Sequence, residues 1–328
     1  MTDPDAEFSL ALRAAWLHYV GGLTQAEVAR RLDIPSVKAH RLIARAVAEG
    51  VVRVTIDGKA ADCAALESAL CARFGLTTCE IAPDLGEEGL PLRALGQAGA
   101  DYLRRAITSG AHQIIGLSHG RTLLAAVRQL PRIQAPGLRF VSLLGGLTRS
   151  YAANPHDVMY RIAETCSAQA HVLPVPFYAN SVEDRAVLMA QPGVAELFAM
   201  TRAATLKVVG IGTLSADAQL VTSGMIEARE LDAIRAEGGV AEMLGHFFDE
   251  QGHVLTTALT RRTLATDLDA PRQARVVAIA GGPGKTEALR AVLSSGRIMG
   301  LVTDEATARR LLSAPRSPKP DVCPKLDA

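Results

Sequence analysis

The sequence predicts a mixed α/β protein in two parts, a small helical head and a larger body built on a parallel sheet. Three observations predict it. Residues 8–48 carry apolar residues at helical spacing, broken twice by turn residues. From about residue 78 onward, short apolar runs alternate with helical stretches, the pattern of a parallel sheet between helical layers. The length, 328 residues, is about twice the usual ~100–200 of one domain. Hydrophobic residues make up 48% and charged residues 21%, a soluble globular composition with enough apolar mass for a sizeable core. The 35 Lys+Arg against 34 Asp+Glu leave a net charge of +1, so the chain as a whole is no polyanion-coating protein.

The head divides into three helices. Residues 8–20, FSLALRAAWLHYV, place Leu10, Ala14, Leu17 and Trp16 on one face before Gly21-Gly22 stops the helix. Thr24 followed by Glu27 has capping-box spacing and opens a short helix with an apolar stripe of Ala26, Val28, Ala29 and Leu32. Ile34-Pro35 ends it, Ser36 suits an N-cap, and residues 37–48 form a third helix on Val37, Leu42, Ile43, Ala46 and Val47. Residues 51–57, VVRVTID, are β-branched and end at the turn dipeptide Asp57-Gly58, so they predict a wing or a first strand.

Three short helices, a tight turn and a strand match a winged helix-turn-helix, whose third helix enters the major groove. The segment 24–53 holds Arg30, Arg31, Lys38, Arg41, Arg45 and Arg53 against Glu27, Asp33 and Glu49, a local basic surface that the near-zero total hides. Side chains at the start of the third helix face the bases, which selects Ser36, Val37, Lys38, His40 and Arg41, while Thr24, Gln25 and Arg45 fall to phosphates. The plainer alternative is a three-helix packing module with solvated arginines.

In residues 61–74, ADCAALESALCARF, Leu66, Leu70 and Phe74 make one seam, either a dimer contact or a face packed on its own domain. The strand candidates that follow are TTCEIA, HQIIGL, RFVSLL, AHVLPV, LKVVGIG, RVVAIA and RIMGLV. Residues 314–328 hold several prolines and no periodicity, and read as a disordered tail. The domains are therefore 1–57, a DNA-binding head; 58–313, an effector-binding and oligomerisation body with 58–75 as a linker helix; and the tail.

Several strand ends carry glycines. Gly116 and the run Ser118, His119, Gly120, Arg121, Thr122 lead from a strand into a helix; Gly145-Gly146, Gly210 with Gly212, and Gly282 with Gly284 before Lys285 repeat the device. Backbone N–H groups at such turns suit an anion or polyol, and strand ends converging on one rim make a pocket. A nucleotide reading fails: a phosphate-binding P-loop needs glycine where Ile279 stands, and the dinucleotide pattern fails at Glu287 and at Ser215. Tight-turn glycines without a ligand remain an alternative, as does Asp249 as a simple turn former.

The five cysteines, Cys63, Cys71, Cys79, Cys166 and Cys323, never fall in CxxC spacing, so reduced thiols and no metal are expected. The acidic start MTDPDAEFSL and the lack of an ~18-residue apolar run predict a cytoplasmic protein with no membrane partner.

The stretch GLTQAEVARRLDIPSVKAHRLIARAVAEGVVRV resembles the reading head of SorC-family (DeoR-like, sugar-binding) bacterial transcriptional regulators. GLSHGRTL is similar to the family's GxSxGRTL, and SLLGG, LPVPFY, VVGIGT, GHFFDEQG, VVAIAGGPGKTEALRAVL and IMGLVTDEATA stand in family order, so the resemblance spans about residues 10–312. Ser36-Val37-Lys38 stands where members commonly have Ser-Arg. The resemblance implies a Rossmann-like body of the kind seen in NagB/RpiA-type sugar-phosphate isomerases, binding a sugar, sugar phosphate or polyol that alters DNA affinity. It implies that Ser118, Gly120, Arg121 and Thr122 hold a phosphate or terminal hydroxyl, that Asp249 accepts hydroxyls, and that Lys285 reaches the ligand head. His119 stands where members often have an aromatic.

The expected function is therefore a repressor of a carbohydrate or polyol catabolic operon, a homo-oligomer (dimer or tetramer) on double-stranded operator DNA, with no catalytic residue and no cofactor. The competing expectation is a sugar-phosphate isomerase or aldolase-like enzyme with a helical appendage. It lacks an acid–base pair, since His112, His119, His156, His171 and His246 are scattered along the chain.

Overall fold

A computed structural model describes residues 4–52, 61–146, 158–216, 218–268 and 274–313. The expected wing at 51–57, apart from its first two residues, and the expected tail lie outside the described residues. The chain divides into two compact units, Met1–Lys59 and Ala60–Ala328.

The head holds α1 (Pro4–Tyr19), α2 (Gln25–Leu32) and α3 (Ser36–Ala48). Their core is small: Ala11 and Ala14 of α1 meet Val28 and Ala29 of α2 and Ala39, Leu42 and Ile43 of α3, with Leu10, Leu17, Leu23, Leu32 and Ile34 around it. Alanines at the crossing let three short helices approach closely enough to exclude water. The capping box forms, with Thr24 N–H donating to Glu27 Oε2 at 2.8 Å and Glu27 N–H reaching Thr24 Oγ1 at 3.4 Å. Asp33 in the left-handed region (φ 52°) turns the chain, and Pro35, not Ser36, occupies the cap position, so Ser36 is the first helical residue of α3. Trp16 also departs from expectation: it lies outside the core, because the buried arc of α1 is centred on alanines 11 and 14.

The body opens with α4 (Ala61–Phe74), β1 (Thr78–Ala82), α5 (Leu92–Thr108), β2 (Ile114–Leu117), α6 (Arg121–Gln129), β3 (Arg139–Ser142), α7 (Met159–Cys166) and β4 (Gln169–His171). It continues through α8 (Val182–Met189), α9 (Pro192–Ala203), β5 (Leu206–Val209), β6 (Gly212–Thr213), α10 (Gln219–Thr222), α11 (Ala228–Ala236), β7 (Ala241–Met243), β8 (His246–Phe248) and β9 (Val254–Leu255). It closes with β10 (Arg275–Ile279), α12 (Thr286–Ser294), β11 (Gly300–Asp304) and α13 (Glu305–Ser313). Seven strands form one sheet in the order β1-β11-β10-β5-β2-β3-β4, every pair parallel. Ile115, Leu117, Phe140, Leu206, Val208, Val277 and Ile279 pack on α5, α6 and α7 from one side of it. This is the expected α/β layering.

A second, antiparallel sheet, β6-β7-β8-β9, was not predicted. It brings Phe247, Phe248 and Met243 into a core shared with α11 and α12. The expected dimer seam on α4 is used within the body: Leu70 is fully buried, and Leu66 and Phe74 pack beside it on that same core. Glu67 on this helix accepts the N–H of Ile81 at 3.0 Å, tying α4 to β1.

Candidate effector-binding site

The order of the parallel sheet reverses between β2 and β5: β3 and β4 extend it on one side, β10, β11 and β1 on the other. The connections leaving two such strands part in opposite directions and leave a crevice at their carboxyl ends, where open α/β sheets take ligands. A cavity of about 110 Å³ lies there, walled by residues 118–122 after β2, residues 210–213 after β5, Glu242 of β7 and Lys285. Leu144, Phe177, Leu220 and Met225 supply an apolar side.

The first wall is stitched before any ligand arrives. Ser118 N–H donates to the Val208 carbonyl at 2.9 Å, and Ser118 Oγ accepts the Gly210 N–H at 3.0 Å, clamping the two strand ends together. Thr122 Oγ1 donates to the Ile279 carbonyl at 2.9 Å, anchoring the start of α6 to β10. Both hydroxyls are thus engaged in the framework. Gly120, at φ 134°, opens α6, and Arg121 and Thr122 of its first turn line the cavity.

The opposite wall carries charge. Lys285 Nζ donates to the Ile211 carbonyl at 2.7 Å, and one oxygen of Glu242 accepts the Gly245 N–H at 2.7 Å. Burial pushes the Glu242 carboxyl up to about 7, against the opposing pull of the Gly245 N–H and Lys285. Burial also brings the Lys285 ammonium down to about 8, helped by Arg121 and opposed by Glu242. Near neutrality this pocket can both donate and accept protons in hydrogen bonds, which is what hydroxyl recognition requires.

Lys285 is held in place by a buried network. Gly282 N–H donates to Asp304 Oδ2 at 2.9 Å and to Thr307 Oγ1 at 2.8 Å, while Asp304 also accepts from the N–H and hydroxyl of Thr307. A Cβ at Gly281 would run into the Asp304 carboxylate. The motif pair GGPGK and TDE is therefore one joint, with the acid of the second half fixing the turn that presents the lysine.

The cavity brings together Ser118, His119, Gly120, Arg121, Thr122, Gly210, Gly212 and Lys285. Six expected residues stand elsewhere. Gly116 is inside β2 against Leu143, Gly145 packs on the backbone of Val175 and Pro176, and Gly146 bridges to Pro176. Gly282 is in the Asp304 joint, and Gly284 faces open space. Asp249 accepts from Gln251 N–H, His253 N–H and the His253 ring, closing its own turn. Burial opposes its ionisation, but those hydrogen bonds outweigh it and hold the carboxyl below the usual range.

Sequence reasoning missed Glu242. Its signal was a lone acid in the apolar run VAEMLGHFF, where a strand this short gives no alternation to read.

In the head, Ser36, Val37, Lys38, His40 and Arg41 are all exposed on the first half of α3, and Gln25 is half-buried at the start of α2. Thr24 is used in the capping box. Arg45 is paired with Glu7 at 3.3 Å and Glu49 at 2.6 Å.

A helical head with an exposed, partly basic third helix and a body with a polar crevice at its strand reversal define a regulator that couples a small molecule to DNA. Residues 59–313 match the family model described as "Putative sugar-binding domain". The chain is 61% identical over 311 residues to the erythritol catabolism regulatory protein EryD of Brucella abortus, covering 95% of this chain and 98% of that one. It is 32% identical over 314 residues to the transcriptional regulator LsrR of Klebsiella pneumoniae, covering 94% of each. The full-length sorbitol operon regulator SorC from Klebsiella pneumoniae superposes with a TM-score of 0.73 at 27% identity, over 95% of this chain and 100% of that one. The chain belongs to the SorC family of sugar-binding transcriptional regulators. The competing enzyme expectation is set aside by this membership. No helix among the described residues is long and apolar enough to cross a membrane.

Proposed function

We propose that the chain represses an operon for the catabolism of a small polyol and leaves its operator when that polyol fills the crevice between β2 and β5. The observation that carries this reading is the cavity itself: about 110 Å³, lined by one carboxylate, Glu242, and two cations, Arg121 and Lys285. Drug-sized ligands need roughly 300–1,000 Å³, so the occupant has few heavy atoms. A neutral chain of hydroxyls can donate to Glu242 and accept from Lys285 and Arg121 at once. The similarity to a regulator of erythritol catabolism supports a four-carbon polyol.

The anion reading keeps one supporting observation, Arg121 beside the N-terminus of α6, which would suit a sugar phosphate. On DNA, Ser36, Val37, Lys38, His40 and Arg41 read bases while Thr24 and Gln25 approach phosphates; Arg45, with its guanidinium already paired, is the weakest contributor. Two half-sites require two heads, so the acting species is a cytoplasmic homo-oligomer, a dimer or tetramer.

The test is fluorescence anisotropy of the full chain on a duplex from upstream of its own gene, at fixed salt, titrated with erythritol, longer polyols, aldoses and sugar phosphates. Binding stronger than to scrambled duplex, weakened by erythritol, is expected, with Lys38→Ala or Arg41→Ala costing about 1–3 kcal/mol where the side chain reads a base. Binding that never exceeds the scrambled level sinks the regulator reading, and a response confined to sugar phosphates replaces the polyol with an anion.

A further inference from the structure

Most polar side chains around the crevice are already engaged within the chain. Ser118 and Thr122 strut the strand ends, and the hydroxyls of Thr213 and Ser215 share a hydrogen bond at 2.9 Å. Lys285 and Glu242 each hold a backbone group. Gln219 differs. It lines the cavity from α10, half-buried, and its side-chain amide takes part in no hydrogen bond among the described residues. Only its backbone is used, the carbonyl accepting from the Ser223 N–H at 3.0 Å and from the Ser223 hydroxyl.

The wall that carries this amide is fixed by its own turns. Ala218 N–H donates to the Ser215 carbonyl at 2.9 Å, and Met225 N–H to the Leu220 carbonyl at 2.9 Å. Gly224, at φ 69°, reverses the chain so that Leu220, Met225 and Ile226 all enter the core. Ala218 and Leu220, on either side of Gln219, are buried. The backbone under the amide is therefore set before a ligand arrives, which leaves only the side chain to order. Beside apolar walls its hydrogen bonds are worth more than in open water.

We propose that Gln219 determines the specificity of the crevice for adjacent hydroxyls. The proposal rests on the polyol reading of this site and adds a residue that enforces it. A carboxamide offers an acceptor, Oε1, beside a donor, Nε2; two neighbouring hydroxyls of a polyol offer the complement, one donating to Oε1 and the other accepting from Nε2. A phosphate presents acceptor oxygens and sets one of them against Oε1. Arg121 and Lys285 attract a phosphate more strongly than a hydroxyl, so preference for a neutral ligand needs a group that reads donor and acceptor together. A site built to hydrogen-bond a hydroxyl penalises a ligand that lacks it, because the site's own polar group is then left unpaired.

The test is titration calorimetry of the full chain without DNA, on the wild type, Gln219→Met and Gln219→Leu. The probes are erythritol, each deoxy-erythritol lacking one hydroxyl, and erythrose phosphate. Methionine keeps the length of the side chain and removes its amide, so thermal melts without ligand should match the wild type. Erythritol affinity should fall about tenfold in both variants, and erythrose phosphate affinity by less than about twofold. For the deoxy compound that lacks a hydroxyl read by Gln219, the penalty of the substitution should vanish, since that bond is already gone.

Three results overturn the proposal: erythritol affinity within about twofold of wild type in both variants, an equal loss for erythritol and erythrose phosphate, or a loss that no deoxy compound abolishes, which makes Gln219 a packing residue. In each of these the wild type still binds erythritol, so the polyol reading stands. A wild type that binds erythrose phosphate alone, or neither compound, fails the polyol reading itself and the proposal with it.

Discussion

The turn after β2 and the turn after β10 look alike in sequence, both glycine-rich and both leading into a helix, yet they do opposite work. The first lines the cavity with its backbone, presents Arg121, and uses its two hydroxyl side chains, Ser118 and Thr122, as struts to β5 and β10. The second hides its backbone in the Asp304 joint and offers one side chain, Lys285. Glycines signal that a backbone must pass close to something. What it passes close to, a ligand or a carboxylate of the same chain, depends on the partner strand, here β11, whose Asp304 lies 22 residues beyond Gly282.

The largest effect should follow from removing the joint. Asp304→Ala leaves both donors of Thr307 without their acceptor and Gly282 N–H with Thr307 Oγ1 alone in a buried setting, which should cost about 3 kcal/mol in urea-melt stability; a loss under about 0.5 kcal/mol would mean that the second turn is not held as described. Next, Lys285→Ala should weaken effector binding at least tenfold in calorimetry, about 1.4 kcal/mol, while DNA affinity without effector stays within twofold. An unchanged effector affinity would return the second turn to a purely structural role.

Smaller and pH-dependent is Glu242→Gln. The carboxyl's value is raised from 4.5 to about 7, so its protonated form favours the fold; that stability is fully present below about pH 4.5 and is lost as pH rises to about 7. The variant should flatten this slope in thermal melts between pH 5 and 8, and should leave Lys285, brought down to about 8, as the source of any remaining change in effector affinity near pH 7. The smallest effect belongs to Asp249→Asn, whose carboxylate serves its own turn: effector affinity should stay within twofold, and a tenfold loss would bring that turn into the site after all.

Much of this was legible in the sequence, for physical reasons that also mark where legibility stopped. Strands buried on both faces read as continuous apolar runs, so the parallel sheet was visible, and Thr24 with Glu27 announced the start of α2. The antiparallel sheet was not, because its strands are two or three residues long and carry no period. With it went Glu242, while Asp249, the acid that the resemblance supplied, bonds within its own turn. The apolar seam on α4 and Trp16 on α1 teach a paired lesson: spacing shows that a face is apolar but not what covers it, and the structure buries Leu70 while leaving Trp16 open.

The hydrogen bond from Lys285 to the Ile211 carbonyl means that the site is already occupied, in a sense, by the chain itself. An ammonium has three N–H donors, so this bond fixes the lysine and leaves two donors for a visiting hydroxyl. Ile211 stands just before β6, so the same bond ties the lysine to the antiparallel sheet that carries Glu242.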